Sequence, residues 1–454
     1  MRLPGNLGGW TPGSAWLTRL KEFAQSLLIL PGPGYRVKRG PGGTILEFEP
    51  GIGGRAQGPG PLSHAVYVPA YTLDEDRTGG SGPTGGGAQP ARIYGCRAGL
   101  LFEMDSGGRS TGRSLNFAEG FGPADSYLAW DKDAKKLWAS HWADFSTGER
   151  VEESGLYRFD LARFAVDEFF PWSHLGVDFT EYRTSNGDLV VGVQEWLVGG
   201  PRRIWIHKGK IIGTGQDGFL GYQSLVVFVQ GADGQESLEI FWAGMNLDEG
   251  AVGWNPLWVD EERNEIWVGN DVGLTKVFRD PPDTGNWDTG LGWSFWNAYG
   301  FSDLGGGGST QSKPEGGLYG ADYCPDSELI YCVCLARDGT PENFGKCQIA
   351  TVPRNTPVIP GSDPFRFTKF DLVYADGVEE PDVEPKPRNI RWFAKTGKFY
   401  LPAMKANVVL ELDPTVNKIT KVLKGFDRPW DILPAGDKAF AVQLGNAGLK
   451  QLAV

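Results

Sequence analysis

Short apolar runs broken by tight polar turns are the dominant pattern along the chain. Residues 255–280, NPLWVDEERNEIWVGNDVGLTKVFRD, carry it most clearly. Residues 257–259 are apolar, 260–264 polar and 266–268 apolar again, and 273–278 form a third run. Val, Ile, Trp and Phe suit a half-buried pleated surface, and Asp, Asn and Gly suit turns. Three short strands are predicted here. One such sheet cannot bury both of its faces, so its stability requires further copies.

The chain supplies them. Polar turns between paired apolar runs recur at residues 131–135, 184–187, 231–234, 260–264, 325–328, 394–397 and 434–437. Their mean spacing is about 50 residues, the period of a four-stranded propeller blade with long loops. The interval between Gly231 and Asp260 is too short for a full blade. The 231–234 hairpin is therefore read as joining an outer strand to an inner one, or as part of an incomplete blade. A further hairpin at residues 64–104 restores the count. The predicted fold is all-β, a β-propeller of seven blades over residues 61–454, with six or eight as the alternatives. The last residues, GLKQLAV, read as a final strand. The ring can close by pairing N-terminal strands with the last blade.

Residues 1–60 follow another pattern and are assigned to a separate anchoring or assembly module. Residues 1–13 are rich in Gly and Pro and read as an extended arm; Trp10 is placed to dock on a neighbour. Ser14 is a good N-cap, and Trp16, Leu17, Leu20, Phe23, Ala24, Leu27 and Leu28 follow at helical spacing. Pro31 and Pro33 stop that helix. Its apolar stripe must cover either the next hairpin or another subunit. The hairpin is residues 35–39 and 44–48 around a GPGG turn, and the Gly/Pro-rich residues 50–61 read as a linker.

Composition narrows the picture. The chain has 454 residues, 66 of them Gly and 17 Trp, and a net charge of −12. Plentiful aromatics argue against disorder, and the glycines follow no collagen period. An acidic chain is a poor partner for nucleic-acid phosphates, so direct nucleic-acid binding is not expected. No run of 18 apolar residues exists, so no membrane insertion is expected. Residues 1–13 lack the apolar centre of a signal peptide, which places assembly in a cytoplasm. The five cysteines, Cys96, Cys324, Cys332, Cys334 and Cys347, match no zinc spacing. They read as small buried hydrophobes, with a Cys324–Cys347 or Cys334–Cys347 bridge as the alternative. Cys332 and Cys334 alternate within one strand and should share a face.

Two resemblances add to this. The helix followed by LILPGPGYRVKRGPGGTILEFEP resembles the N-terminal segment of structural proteins from tailed-bacteriophage virions. It implies a virion component, assembled in the host cytoplasm, that contacts other virion proteins and copies of itself. Residues 390–419 and 425–443, with their strand–turn–strand order and ELDP ending, resemble blades of NHL and YVTN type propellers. That second likeness speaks to fold, since propellers host enzymes, scaffolds and receptors alike.

Catalytic chemistry is sparse. His64, His141, His174 and His207 form no metal spacing, there is no G-x-S-x-G elbow, and the Gly-rich 305–310 lacks a phosphate-loop lysine. Asp131, Asp133, Asp260, Glu261 and Glu262 read as solvated turn residues. Asp322 and Asp326 could bind a cation. A structural cation is the only cofactor left open, and otherwise none is expected. Trp142, Trp196 and Trp242 either form a rim surface or wedge blades together. Residues 286–297, NWDTGLGWSFWN, read as a long aromatic loop outside the regular strands. The expected partner-binding residues are Trp10, Trp16, Leu20 and Phe23 in the N-terminal module and Trp287, Trp293, Phe295 and Trp296 in that loop. The expected function is a non-enzymatic virion component whose propeller meets a protein, a host-surface receptor or a glycan. The alternatives are a gluconolactonase-like hydrolase with a channel cation and a sugar-binding propeller.

Overall fold

The computed structural model describes residues 35–40, 43–48, 60–72, 88–118, 126–141, 155–171, 181–183, 189–191, 201–207, 210–216, 223–230, 236–241, 255–260, 262–263, 265–269, 274–279, 293–298, 316–336, 347–355, 368–387, 389–445 and 448–454. It is all-β over these residues, and no helix among them is long and apolar enough to cross a membrane. The chain divides into two compact units, Met1–Ala56 and Gln57–Val454. In the first, Tyr35–Gly40 pairs antiparallel with Gly43–Phe48, the hairpin expected from the sequence.

The second unit contains six four-stranded antiparallel sheets and one three-stranded sheet among the described residues. Sheet 1 is His64–Val68, Arg92–Arg97, Leu100–Asp105 and Ser110–Asn116. Sheet 2 is Ser126–Asp131, Lys136–His141, Gly155–Asp160 and Ala165–Pro171. Sheet 3 is Pro201–His207, Lys210–Gln216, Gln223–Gln230 and Glu236–Phe241. Sheet 4 is Asn255–Asp260, Glu265–Gly269, Leu274–Arg279 and Trp293–Ala298. Sheet 5 is Gly316–Cys324, Leu329–Ala336, Cys347–Pro353 and Thr368–Asp371. Sheet 6 is Arg391–Phe393, Lys398–Ala403, Val408–Asp413 and Lys418–Leu423. Sheet 7 is Pro429–Ala435, Lys438–Gln443 and Leu449–Gln451.

The core lies between sheets. Val68 and Leu101 of sheet 1 pack with Leu128 and Phe159 of sheet 2, whose other face meets Ile204 and Ile211 of sheet 3. Pro201–His207 runs beside Asn255–Asp260. Trp267 of sheet 4 packs into sheet 5, Tyr331 and Ile349 of sheet 5 into sheet 6, and Tyr400 of sheet 6 onto Ala439 and Ala441 of sheet 7. Phe440 and Val442 of sheet 7 return to Ile93 and Met104 of sheet 1. Among the described residues, sheets 1, 2, 5, 6 and 7 thus find a partner for both faces, which answers the burial problem posed by the isolated pattern. Closure rests on that last cluster and on the bond from Leu62 N–H to Gln443 O, 2.9 Å. Among the described residues no N-terminal strand joins sheet 7, contrary to the expected mode of closure.

Turn chemistry repeats. The four-residue turns 132–135, 161–164, 325–328, 394–397, 404–407 and 414–417 each end on a residue with positive φ: Lys135, Phe164, Glu328, Gly397, Asn407 and Asn417. The left-handed residue returns the chain to strand register. Asp105, Asp131, Asp160, Asp260 and Asp413 end strands, and each accepts turn backbone N–H groups on its Oδ1. These caps are sequence-local, so the turns were legible in advance.

Several expectations change. Residues 231–234 lie outside the described residues, but the strands flanking them, Gln223–Gln230 and Glu236–Phe241, pair as the third and fourth strands of one four-stranded sheet, not as an outer strand with the next inner one. The 184–187 turn lies outside the described residues, and the strands flanking it, Glu181–Arg183 and Leu189–Val191, form a two-stranded sheet apart from the larger ones. Turn spacing alone cannot separate hairpins within a sheet from hairpins between sheets. The five cysteines are free and buried, as the plain reading held. Cys332 and Cys334 face sheet 4, and Cys324 and Cys347 face sheet 6. A Cys334–Cys347 bridge would have to pass through the sheet. Cys324 and Cys347 stand at opposite ends of theirs, opposite Leu329 and Leu335.

Candidate functional site

The first strand of each sheet lies nearest the first strands of its neighbours, so residues there converge on the ring centre. Sheets 5, 6, 7 and 1 bring Asp322, Arg391, Asp431 and His64 together in this way. Cross-strand register sets Asp322 opposite Tyr331 and Arg391 opposite Tyr400, the same level in adjacent sheets. At that level the other sheets carry Val66, Ala129, Trp205, Trp258 and Leu433, so charge is confined to Asp322 and Arg391.

Asp431 is buried and heavily used. Its Oδ1 accepts from Ile432 N–H at 2.8 Å and from Asn389 Nδ2, and Arg391 Nε lies 3.3 Å away. His64 Nε2 stands 3.9 Å from Asp431 Oδ2. His64 Nδ1 accepts the Leu128 N–H at 3.2 Å, which puts the neutral ring's proton on Nε2, facing the carboxylate. Asp322 accepts from Tyr323 N–H on Oδ1 and from Trp392 N–H on Oδ2, both at 2.8 Å. Burial pushes the Asp322 carboxyl above its usual range; Arg391 and the two backbone bonds oppose this, and Asp431 adds to it. Burial disfavours the Arg391 charge, but Asp431 and Asp322 outweigh that and hold it protonated.

Arg391 is only partly used. Its side chain is 20% exposed. Its Nε stands against Asp431, and among the described residues neither terminal nitrogen donates a hydrogen bond. Asp322, the nearest other carboxylate, is turned toward backbone N–H groups and forms no ion pair with it.

Next to this group, Ser126 Oγ lies 2.9 Å from His141 Nδ1, and Ser63 Oγ donates to the carbonyls of Cys96 and Ser126. Ser126 and His141 are enclosed, which suits a bond between strand ends and denies a nucleophile its substrate. His141 is thus a buried structural histidine at a strand end.

A second charged cluster joins sheets 4 and 5 where strands turn. Arg354 Nη2 donates to Asp260 Oδ1 and to Glu262 Oε2, both at 2.6 Å, and its Nε meets Asp260 Oδ2. The guanidinium also lies 4.9 Å over the Tyr323 ring, which stacks on Trp258. The hydrogen bonds to Asp260 hold Arg354 firmly protonated. Burial raises the Asp260 carboxyl, but Arg354 and the Arg263 N–H overcome it, and the net position is below the ordinary carboxylate range. Asp260 was expected as a solvated turn residue; it is 2% exposed and binds two sheets. Its partner is 94 residues away, so no local signal could reveal it.

Trp10, Trp16, Leu20, Phe23 and Trp287 lie outside the described residues, as do Trp142, Trp196 and Trp242. Trp293, Phe295 and Trp296 do not belong to an irregular loop. They sit in the fourth strand of sheet 4, opposite Arg279, Val277 and Lys276. Aromatic residues suit a strand, and that preference prevails over the neighbouring Gly and Asn. Asp322 lies in a strand with both oxygens spent on backbone, whereas Asp326 is exposed in the following turn, so the expected pair does not form.

One readable signal was passed over. Every second strand opens with a residue, then an apolar one, then a large apolar one: Arg92-Ile93-Tyr94, Lys136-Leu137-Trp138, Lys210-Ile211-Ile212, Glu265-Ile266-Trp267, Leu329-Ile330-Tyr331, Lys398-Phe399-Tyr400 and Lys438-Ala439-Phe440. In six sheets the aromatic third residue faces a polar one on the third strand: Glu103, Arg158, Lys276, Thr351, Glu411 and Gln451. This register marks the repeat more sharply than the turns do.

No protein family matches the chain, and no curated protein matches it by sequence. Solved structures do. Kuenenia stuttgartiensis hydrazine synthase is 10% identical over 90% of this chain and 100% of that one, with a TM-score of 0.52. The β-propeller domain of Myceliophteria thermophila Cps50 (Swd1) is 10% identical over 80% and 93%, with a TM-score of 0.48. The Pseudomonas aeruginosa periplasmic gluconolactonase PpgL is 12% identical over 86% and 99%, with a TM-score of 0.34. At these identities the first likeness is one of fold alone, and the other two add nothing to it. The four-stranded antiparallel sheets place the chain in the class of β-propellers.

Proposed function

We propose that this protein is a non-enzymatic structural component of a phage virion: a seven-bladed propeller displayed outward for protein or receptor contact, tethered by its N-terminal module. The observation carrying this reading is the separation of Met1–Ala56 from the ring unit. The likeness of the first segment to virion proteins supports it further. Seven sheets, each opening its second strand with the same triplet, support the blade count. The polar groups at the ring centre are largely spent on inter-sheet bonds, which suits a rigid scaffold. A hydrolase with a channel cation is served less well, because both Asp322 oxygens accept backbone N–H groups.

The test is deletion of residues 1–60. Light scattering after size exclusion should find the full chain assembled or particle-bound, and residues 61–454 monomeric and unattached. A deletion that leaves assembly and particle attachment unchanged rules the anchor out.

A further inference from the structure

We propose that Arg391 anchors a binding site at the ring centre for a small organic oxyanion, whose carboxylate or phosphate-type group sits on the two terminal nitrogens of the guanidinium. A guanidinium carries five N–H donors in a fixed fork, and those that face solvent can exchange water for the oxygens of a ligand. Arg391 sets Nε against Asp431, and its terminal nitrogens donate no hydrogen bond among the described residues, with 20% of the side chain still open. Their geometry matches two oxygens of one planar or tetrahedral oxyanion.

The neighbours do not compete for that edge. Asp322 has turned both oxygens to Tyr323 and Trp392 N–H. Asp431 stands 3.3 Å from Arg391 Nε and is held from other sides by Asn389 and the Ile432 N–H. The guanidinium is therefore held in place by one carboxylate, with its far edge making no hydrogen bond among the described residues, the arrangement of a preformed site. This inference is independent of the anchoring reading, since residues 1–60 take no part in it.

The test is calorimetric titration of the full chain with acetate, succinate and inorganic phosphate at constant ionic strength, with glucose as the neutral control. At least one of the three anions should bind saturably at one site per chain, and glucose should not; which anion binds separates carboxylate from phosphate recognition. Arg391→Gln should weaken binding by at least about tenfold, and Arg391→Lys, which keeps the charge and loses the fork, by less. If Arg391→Gln does not fold, the Nε–H resonance of Arg391 in the wild-type protein decides: it should shift with the anion and stay fixed with glucose. Absence of saturable binding by all three anions, unchanged binding in a folded Arg391→Gln variant, or an unmoved Arg391 resonance overturns the proposal.

Discussion

Two arginines in this ring do opposite things with the same side chain. Arg354, between sheets 4 and 5, has acceptors from Asp260 and Glu262 and an aromatic ring beneath it. Arg391, at the ring centre, has one carboxylate on one nitrogen. Both pair with a buried Asp, so burial alone does not distinguish them. The difference is saturation. A guanidinium whose donors are met by its own protein is structural, and one with a free edge is available to a ligand.

The comparison breaks first at Arg354. Arg354→Ala leaves the buried Asp260 carboxylate uncompensated and should cost about 3–5 kcal/mol, read as a lowered urea midpoint. Arg391→Gln should cost only about 1–2 kcal/mol, because Asp431 keeps Asn389 and the Ile432 N–H. Equal losses would mean that saturation does not separate the two sites.

The pH response sharpens the contrast, since the neighbouring carboxyls are shifted in opposite directions. Asp260 is held below its ordinary value. It binds fewer protons folded than unfolded, so its contribution is present above the ordinary carboxylate pKa and lost as pH falls through the folded value. Asp322 is held above its ordinary value, so its contribution is present below that value and lost as pH rises through the folded one. Urea unfolding across a pH series should find Asp260→Asn less stable than wild type at neutral pH, with a shallower loss in acid. Asp322→Asn should instead flatten the decline on the rising-pH side.

Smaller effects test the repeat itself. Tyr94 and Tyr400 occupy the same place in sheets 1 and 6 and donate to Glu103 and Glu411. Thr111 and Thr420 bond the same two carboxylates, each at 2.9 Å. Tyr94→Phe and Tyr400→Phe should each cost about 1 kcal/mol, and by similar amounts, in thermal unfolding. The mildest change is Glu328→Gly. Glu328 has φ of 53° in the turn whose carbonyl accepts Arg354 N–H at 3.0 Å. Glycine there should stabilise by about 0.5 kcal/mol without touching Asp260.

How much was legible follows the range of each interaction. The 325–328 and 394–397 turns were read correctly because an Asx bond or a left-handed residue acts within a few positions. Cys332 and Cys334 were placed on one face because strand period is strictly local. The aromatic run at 293–296 was assigned to a loop because Gly and Asp around it imitate a turn, while its strand partner lies at 276–279. The centre was missed altogether: Asp322, Arg391, Asp431 and His64 come from four sheets, and nothing near any of them in the chain announces the others.

From residues alone came the all-β class, the tight turns, the burial of the cysteines and the expectation of a ring. These depend on period, on φ preference and on the need of a two-sided sheet for neighbours. Packing alone decided which turn-capping Asp also became an inter-sheet clamp, and how many acceptors each Arg meets among the described residues. Those outcomes depend on partners that adjacent sheets bring into contact from distant parts of the chain, where desolvation turns an ordinary surface charge into one that must be paired.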